Sequence, residues 1–118
     1  MSEEDRLQIT CIEWFDLQPK FKKFQKCLFH PANGGKRNKI EGKKFKRMGV
    51  RAGVSDLVYC RNGLVYFIEL KTATGRQQPS QKEFAEQVGQ EYYYIVRSLE
   101  AFVNLIELIN LDHQTKEL

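Results

Sequence analysis

Two acidic residues and a lysine stand where one tight turn would bring them together. Asp56 precedes an apolar run, Glu69 ends another, Asn62-Gly63 separates the runs, and Lys71 lies two residues beyond Glu69. Asn-Gly between apolar runs specifies a two-residue type I′ hairpin, because both central positions need positive φ. That turn pairs Arg61 with Leu64, Tyr59 with Tyr66, Val58 with Phe67 and Asp56 with Glu69. Directly opposed residues share a face, with Cβ atoms about 5 Å apart. The two-residue period of a strand puts Lys71 on that face as well. Carboxylates this close repel, so one takes up a proton unless a cation lies between them. A hard divalent ion such as Mg²⁺ meets that need with oxygen ligands and retained waters. Lys71 beside it would orient or deprotonate a water, or steady a developing anionic oxygen. The plainer alternative is a surface Glu-Lys pair near an unrelated turn aspartate, since Glu-x-Lys alone is common.

The elements that must hold these groups favour the site. Leu57, Val58, Tyr59, Leu64, Val65, Tyr66, Phe67 and Ile68 make both strands apolar on both faces. Such strands are central and covered on both sides, where charged groups are costly unless they have a task. Before the hairpin, residues Ser2 to Asp16 read as a helix. Ser2 is its cap, acids fill its first turn, and Leu7, Cys11, Trp14 and Phe15 form its apolar stripe. Pro19 ends it. Cys27-Leu28-Phe29 reads as a short strand feeding a turn at Pro31–Gly35. Asn38 and Glu41 have capping-box spacing for a short helix to Met48, stopped by Gly49, with Ile40 and Phe45 as anchors.

After the hairpin, Thr72 to Gln78 is a polar loop, and Pro79 suits the first turn of a helix to about Val88. Gln81 falls on that helix's apolar face with Phe84, Ala85 and Val88, so it needs a polar partner. A satisfied core glutamine is the bland reading. Tyr92 to Val96 is a further strand, and the helix between would make a right-handed crossover. Ser98 caps a last helix carrying Leu99, Phe102, Val103, Ile106 and Ile109, with a frayed tail after Leu111. The fold class is α/β, a mixed sheet flanked by helices.

The chain has 118 residues, enough for one domain, 1–118, and too few for two. Its charge is +4, but the distribution says more than the total. Lys36, Arg37, Lys39, Lys43, Lys44, Lys46, Arg47 and Arg51 crowd one segment in which Glu41 is the only acid. Such clustering is an electrostatic footprint for a phosphate backbone; a solvated basic helix is the alternative. Cys11, Cys27 and Cys60 are widely spaced and odd in number, which argues against a zinc site or a disulfide framework. Neither a secretory signal nor a transmembrane run is present, so an intracellular, reduced protein is expected.

Asp56 followed by Glu69-x-Lys71 across a hairpin, then a helix, resembles the PD-(D/E)xK nuclease superfamily. The resemblance is closer to the VRR-Nuc domain family and spans the chain nearly end to end. Glu4-Asp-Arg-Leu-Gln8 is similar to the family's opening helix, and His30-Pro-Ala-Asn-Gly-Gly-Lys-Arg-Asn38 to its Asn-Gly-Gly segment. Gly49-Val-Arg-Ala-Gly-Val-Ser-Asp56 resembles the stretch before its first acid. Phe67-Ile-Glu-Leu-Lys71 resembles its second motif, with Gln81 at the position of the family's glutamine. Ser55 departs from the alanine or proline that often precedes the aspartate.

The resemblance implies a restriction-endonuclease-like core with a central hairpin. It implies a phosphodiester hydrolase using Mg²⁺ or Mn²⁺, one ion or two. Asp56, Glu69, Glu4 and the backbone carbonyl of Leu70 would be the metal ligands. Lys71 would act on the water or the phosphate, and Gln81 would support the site. Glu3 competes with Glu4 for its place; Glu4 is favoured because it lies four residues before Gln8. Lys36, Arg37, Lys43, Lys44, Lys46, Arg47 and Arg51 are the expected phosphate contacts. Small stand-alone members resemble phage-encoded proteins that act as homodimers on branched DNA, four-way (Holliday) junctions included. That sets the expectation of a homodimer in a bacterium or phage-infected host, with DNA as partner and no membrane. The rival is a non-catalytic, structure-specific nucleic-acid-binding domain that kept the architecture. His30 has no catalytic assignment.

Overall fold

The computed structural model describes residues 1–31 and 39–117, apart from the side chains of 39–41 and 114–117. Helix α1 (Glu3–Leu17) is followed by a 3-10 helix (Pro19–Cys27), β1 (Leu28–Phe29) and α2 (Lys39–Arg47). Then come β2 (Leu57–Arg61), β3 (Leu64–Leu70), α3 (Pro79–Val88), a 3-10 turn (Gln90–Tyr92), β4 (Tyr93–Val96) and α4 (Leu99–Glu117). The strands form one sheet in the order β1-β2-β3-β4. The first two pairings are antiparallel and β3–β4 is parallel, with α3 as the crossover. This is the mixed sheet with a central hairpin that the sequence implies.

The hairpin has the expected register, with Arg61 opposite Leu64, Tyr59 opposite Tyr66 and Val58 opposite Phe67. Asn62 and Gly63 take φ of 48° and 83°, as a type I′ turn requires. Pleat alternation then divides the sheet. One face carries Leu57, Tyr59, Tyr66, Ile68, Leu70 and Val96, all buried. It packs on Cys11 and Phe15 of α1 and on Phe102, Ile106 and Ile109 of α4. Phe15 stacks on Phe21 at 5.1 Å and meets Tyr59 edge-on at 5.7 Å. Burial pushes the Cys11 thiol up to about 12, so it serves as a small apolar group rather than a nucleophile. The other face carries Val58, Phe67 and Tyr93, with Phe84 of α3 set edge-on to both rings, at 5.2 Å from Phe67 and 6.2 Å from Tyr93.

Helix α1 begins with a reciprocal cap, Ser2 and Asp5 each accepting from the other's backbone N–H. Three local differences from expectation have physical reasons. The Phe21–Cys27 stretch, which gave no clear signal beyond its last residues, is a 3-10 helix. Phe21, Phe24 and Cys27 recur every third residue, the spacing that eclipses in that geometry, and all three turn inward. The last strand starts at Tyr93, because Tyr92 closes a 3-10 turn. Helix α4 does not fray after Leu111 but runs to Glu117. His113, 1% exposed, holds it there, with Nε2 2.9 Å from the Tyr66 hydroxyl and Nδ1 3.3 Å from the Asn62 side-chain amide. The turn at Pro31–Gly35 beyond Pro31, the Asn38/Glu41 cap and the Ile40 anchor lie outside the described residues. Phe45 is half-buried, as an anchor should be.

Candidate active site

The register that opposes Leu57 to Ile68 carries Asp56 to Glu69. Asp56 Oδ2 accepts the Leu70 N–H at 2.8 Å, and its carboxyl also meets that of Glu69 in a hydrogen bond. Glu69 is 1% exposed. Burial, then the hydrogen bond and charge of Asp56, push its carboxyl up to about 9, against weaker opposing pulls from Lys71 and Tyr93. Glu69 therefore keeps its proton near neutral pH, the behaviour of a buried carboxyl crowded by another. Lys71 is buried and on the same face, yet among the described residues it forms no direct ion pair with either acid. Its ammonium donates to Gln81 Oε1 at 2.8 Å, and Gln81 Nε2 donates to Glu69 Oε1 at 3.2 Å. Gln81 Oε1 also accepts the Gln78 N–H at 2.7 Å, which closes the first turn of α3. The polar residue on an apolar helix face has thus found its partners: it is the bridge between the lysine and the glutamate.

The loop that brings in Asp56 is pressed against α3. A Cβ on Gly53, whose φ is +82°, would lie 2.2 Å from the Ser80 carbonyl oxygen, so only glycine fits. Ser55 is fully buried and donates to the Leu57 carbonyl at 3.0 Å. A serine is accommodated at this departure from the family pattern because its hydroxyl is satisfied within the loop. His30, at the end of β1, places Nδ1 2.6 Å from the Asp56 carbonyl oxygen. That oxygen only accepts, so Nδ1 carries the proton. From β4, Tyr93 Oη donates to Glu69 Oε2 at 3.3 Å and accepts from Gln77 Nε2 at 3.2 Å. Arg97 donates to the carbonyls of Thr72 and Gly75, both at 2.7 Å, and so braces the loop that carries Gln77.

Other expected residues are less gathered. Glu4 is half-buried and Glu3 exposed, and Glu4 Oε1 lies beside Gly75. Among the described residues, no group of three acidic, histidine or cysteine side chains is close enough to hold an ion. Glu4 is therefore not drawn in with Asp56 and Glu69. Leu70 meets Asp56 through its N–H, and its carbonyl remains a ligand by resemblance alone. Lys43, Lys44, Lys46 and Arg47 are exposed on α2, and Arg51 is exposed just after it. Lys36 and Arg37 lie outside the described residues. No described helix is long and apolar enough to cross a membrane.

The donor set fits a hard divalent ion. Two oxygen ligands that crowd each other are relieved by a cation, and a pair of carboxylates with retained waters is how Mg²⁺ is commonly held. No family model matches the sequence, and no curated protein does. Among solved structures the chain is similar to a VRR_NUC domain protein, with a TM-score of 0.70 and 28% identity over 92% of this chain and 88% of that one. The fold is that of a VRR-Nuc-type nuclease domain. A nuclease fold of this kind suggests nucleic acid as a partner.

Proposed function

We propose that this VRR-Nuc-type domain is a divalent-metal-dependent, structure-selective DNA endonuclease that hydrolyses phosphodiester bonds. The observation that carries the reading is the close pairing of half-buried Asp56 with fully buried Glu69 at the hairpin end, beside a buried lysine that Gln81 links to Glu69. Asp56 and Glu69 are the ligands, with the Leu70 carbonyl and Glu4 as further candidates from the family pattern. Mg²⁺ or Mn²⁺ bound there supplies Lewis-acid polarisation of the phosphate and a more acidic water. Lys71, held by Gln81, presents its ammonium to a phosphate oxygen as negative charge builds. Gln81 keeps lysine and glutamate at fixed spacing through its two hydrogen bonds. The exposed cations of α2, with Arg51, Lys36 and Arg37, contact the phosphate backbone, which positions DNA without reading bases. We assign branched DNA, four-way junctions included, as substrate and a homodimer as the active form. Symmetric cuts need two matched centres related by a two-fold axis.

The test is incubation with linear, flap, splayed-arm and four-way DNA, with and without Mn²⁺, beside Asp56→Asn. Metal-dependent cleavage lost in the variant is the expected result. Tight binding without cleavage would favour the non-catalytic binding domain, the reading that a two-carboxylate cluster keeps open. Sedimentation of the protein with and without junction DNA checks the dimer.

A further inference from the structure

Tyr93 sits on β4 across the parallel ladder from Phe67. Its hydroxyl has a single proton and two neighbours, Glu69 Oε2 at 3.3 Å and Gln77 Nε2 at 3.2 Å. The Gln77 amide nitrogen can only donate. The phenol proton is therefore committed to Glu69, and the Gln77 amide fills a lone pair on the phenol oxygen instead of competing for that proton. Gln81 supplies a donor to the other carboxylate oxygen, Oε1, at 3.2 Å. The terminal torsion of a glutamate is broad and soft when nothing holds it. Here each oxygen is held by a donor from a different element, α3 on one side and β4 on the other. One lone pair on each oxygen remains beyond these two donors, for the Asp56 carboxyl or for an ion. The ring that delivers the hydroxyl is held in turn, since Phe84 sets its edge against it.

We propose that Tyr93 is a positioning residue for Glu69 as a metal ligand, with Gln77 orienting its hydroxyl. The inference rests on the metal-site reading above and adds to it two residues outside the hairpin motif. A hydrogen bond behind a ligating carboxylate holds its charge and its angle, and loss of such a partner commonly weakens metal binding by about 10–100-fold.

Mn²⁺ binding to the full chain, followed by electron paramagnetic resonance without DNA, tests it. Tyr93→Phe keeps the ring and removes only the hydroxyl. Its Mn²⁺ affinity should fall about ten-fold, while the melting temperature of the metal-free protein stays close to that of the wild type. Gln77→Ala should shift affinity the same way by a smaller factor. A purely structural tyrosine would give the opposite split, a lower melting temperature and unchanged Mn²⁺ affinity, and that result overturns the proposal. Wild-type protein that binds no Mn²⁺, or binds it equally well as Asp56→Asn, overturns the metal-site reading and this inference with it.

Discussion

The two faces of the sheet are built by opposite rules, and one strand serves both. Towards α1 and α4, Ile68 and Leu70 of β3 are fully buried among aromatic and aliphatic side chains. Towards α3, the intervening Glu69 and the following Lys71 are almost as deeply buried, but among polar partners. The cover there is thinner, since Val65 and Ile95 on that face are 38% and 40% exposed. Consecutive residues of one strand thus divide between holding the fold and doing chemistry. The apolar face stabilises the chain, which allows the other face to keep two carboxyls that destabilise it.

The sharpest way to break this division is to cut one residue from each face. Lys71→Ala should lower DNA cleavage by on the order of 10²–10³-fold with little change in melting temperature. Phe15→Ala should do the reverse. It costs about 3–5 kcal/mol of stability, measured by urea denaturation, and leaves activity per folded molecule intact. An equal loss of stability from both would mean that the faces are not separate.

Glu69 sharpens the comparison further. A carboxyl whose folded pKa lies above its unfolded one keeps a proton that the unfolded chain has released, so stability falls as pH rises between the two values. Metal-free protein should therefore lose stability from about pH 4.5 towards about pH 9 through this group. Glu69→Gln should flatten that part of a melting-temperature profile recorded in chelator. An unchanged slope would show that the carboxyl is not proton-bound in the fold. The smallest effect belongs to the surface. Lys46→Ala or Arg47→Ala should weaken DNA binding modestly and reduce the salt slope of the affinity by about one, without altering metal binding.

How much of this was open to reading depends on what sets each position. A two-residue turn fixes the β2–β3 register, so Asp56 opposite Glu69 followed from Asn62-Gly63 alone. Gln81 announced itself as a polar residue on an apolar helix face. Tyr93 carried no such mark. Its place opposite Phe67 is set by how α3 packs across the sheet, and a crossover helix, unlike a hairpin turn, does not dictate a register. Gln77 was hidden for the same reason. The 3-10 helix did carry a signal, in the three-residue spacing of Phe21, Phe24 and Cys27, but a search for periods of 3.6 and 2 passes over it. His113 continues the stripe of Phe102, Ile106 and Ile109 by four residues, and only its polarity disguised the length of α4.

Gly53 carries one more consequence. Its backbone lies so near the Ser80 carbonyl that the segment leading to Asp56 and the start of α3 touch with no side chain between them. Aspartate and glutamine are therefore carried by two segments in direct backbone contact. A side chain added at position 53 would thus press on both walls of the site at once.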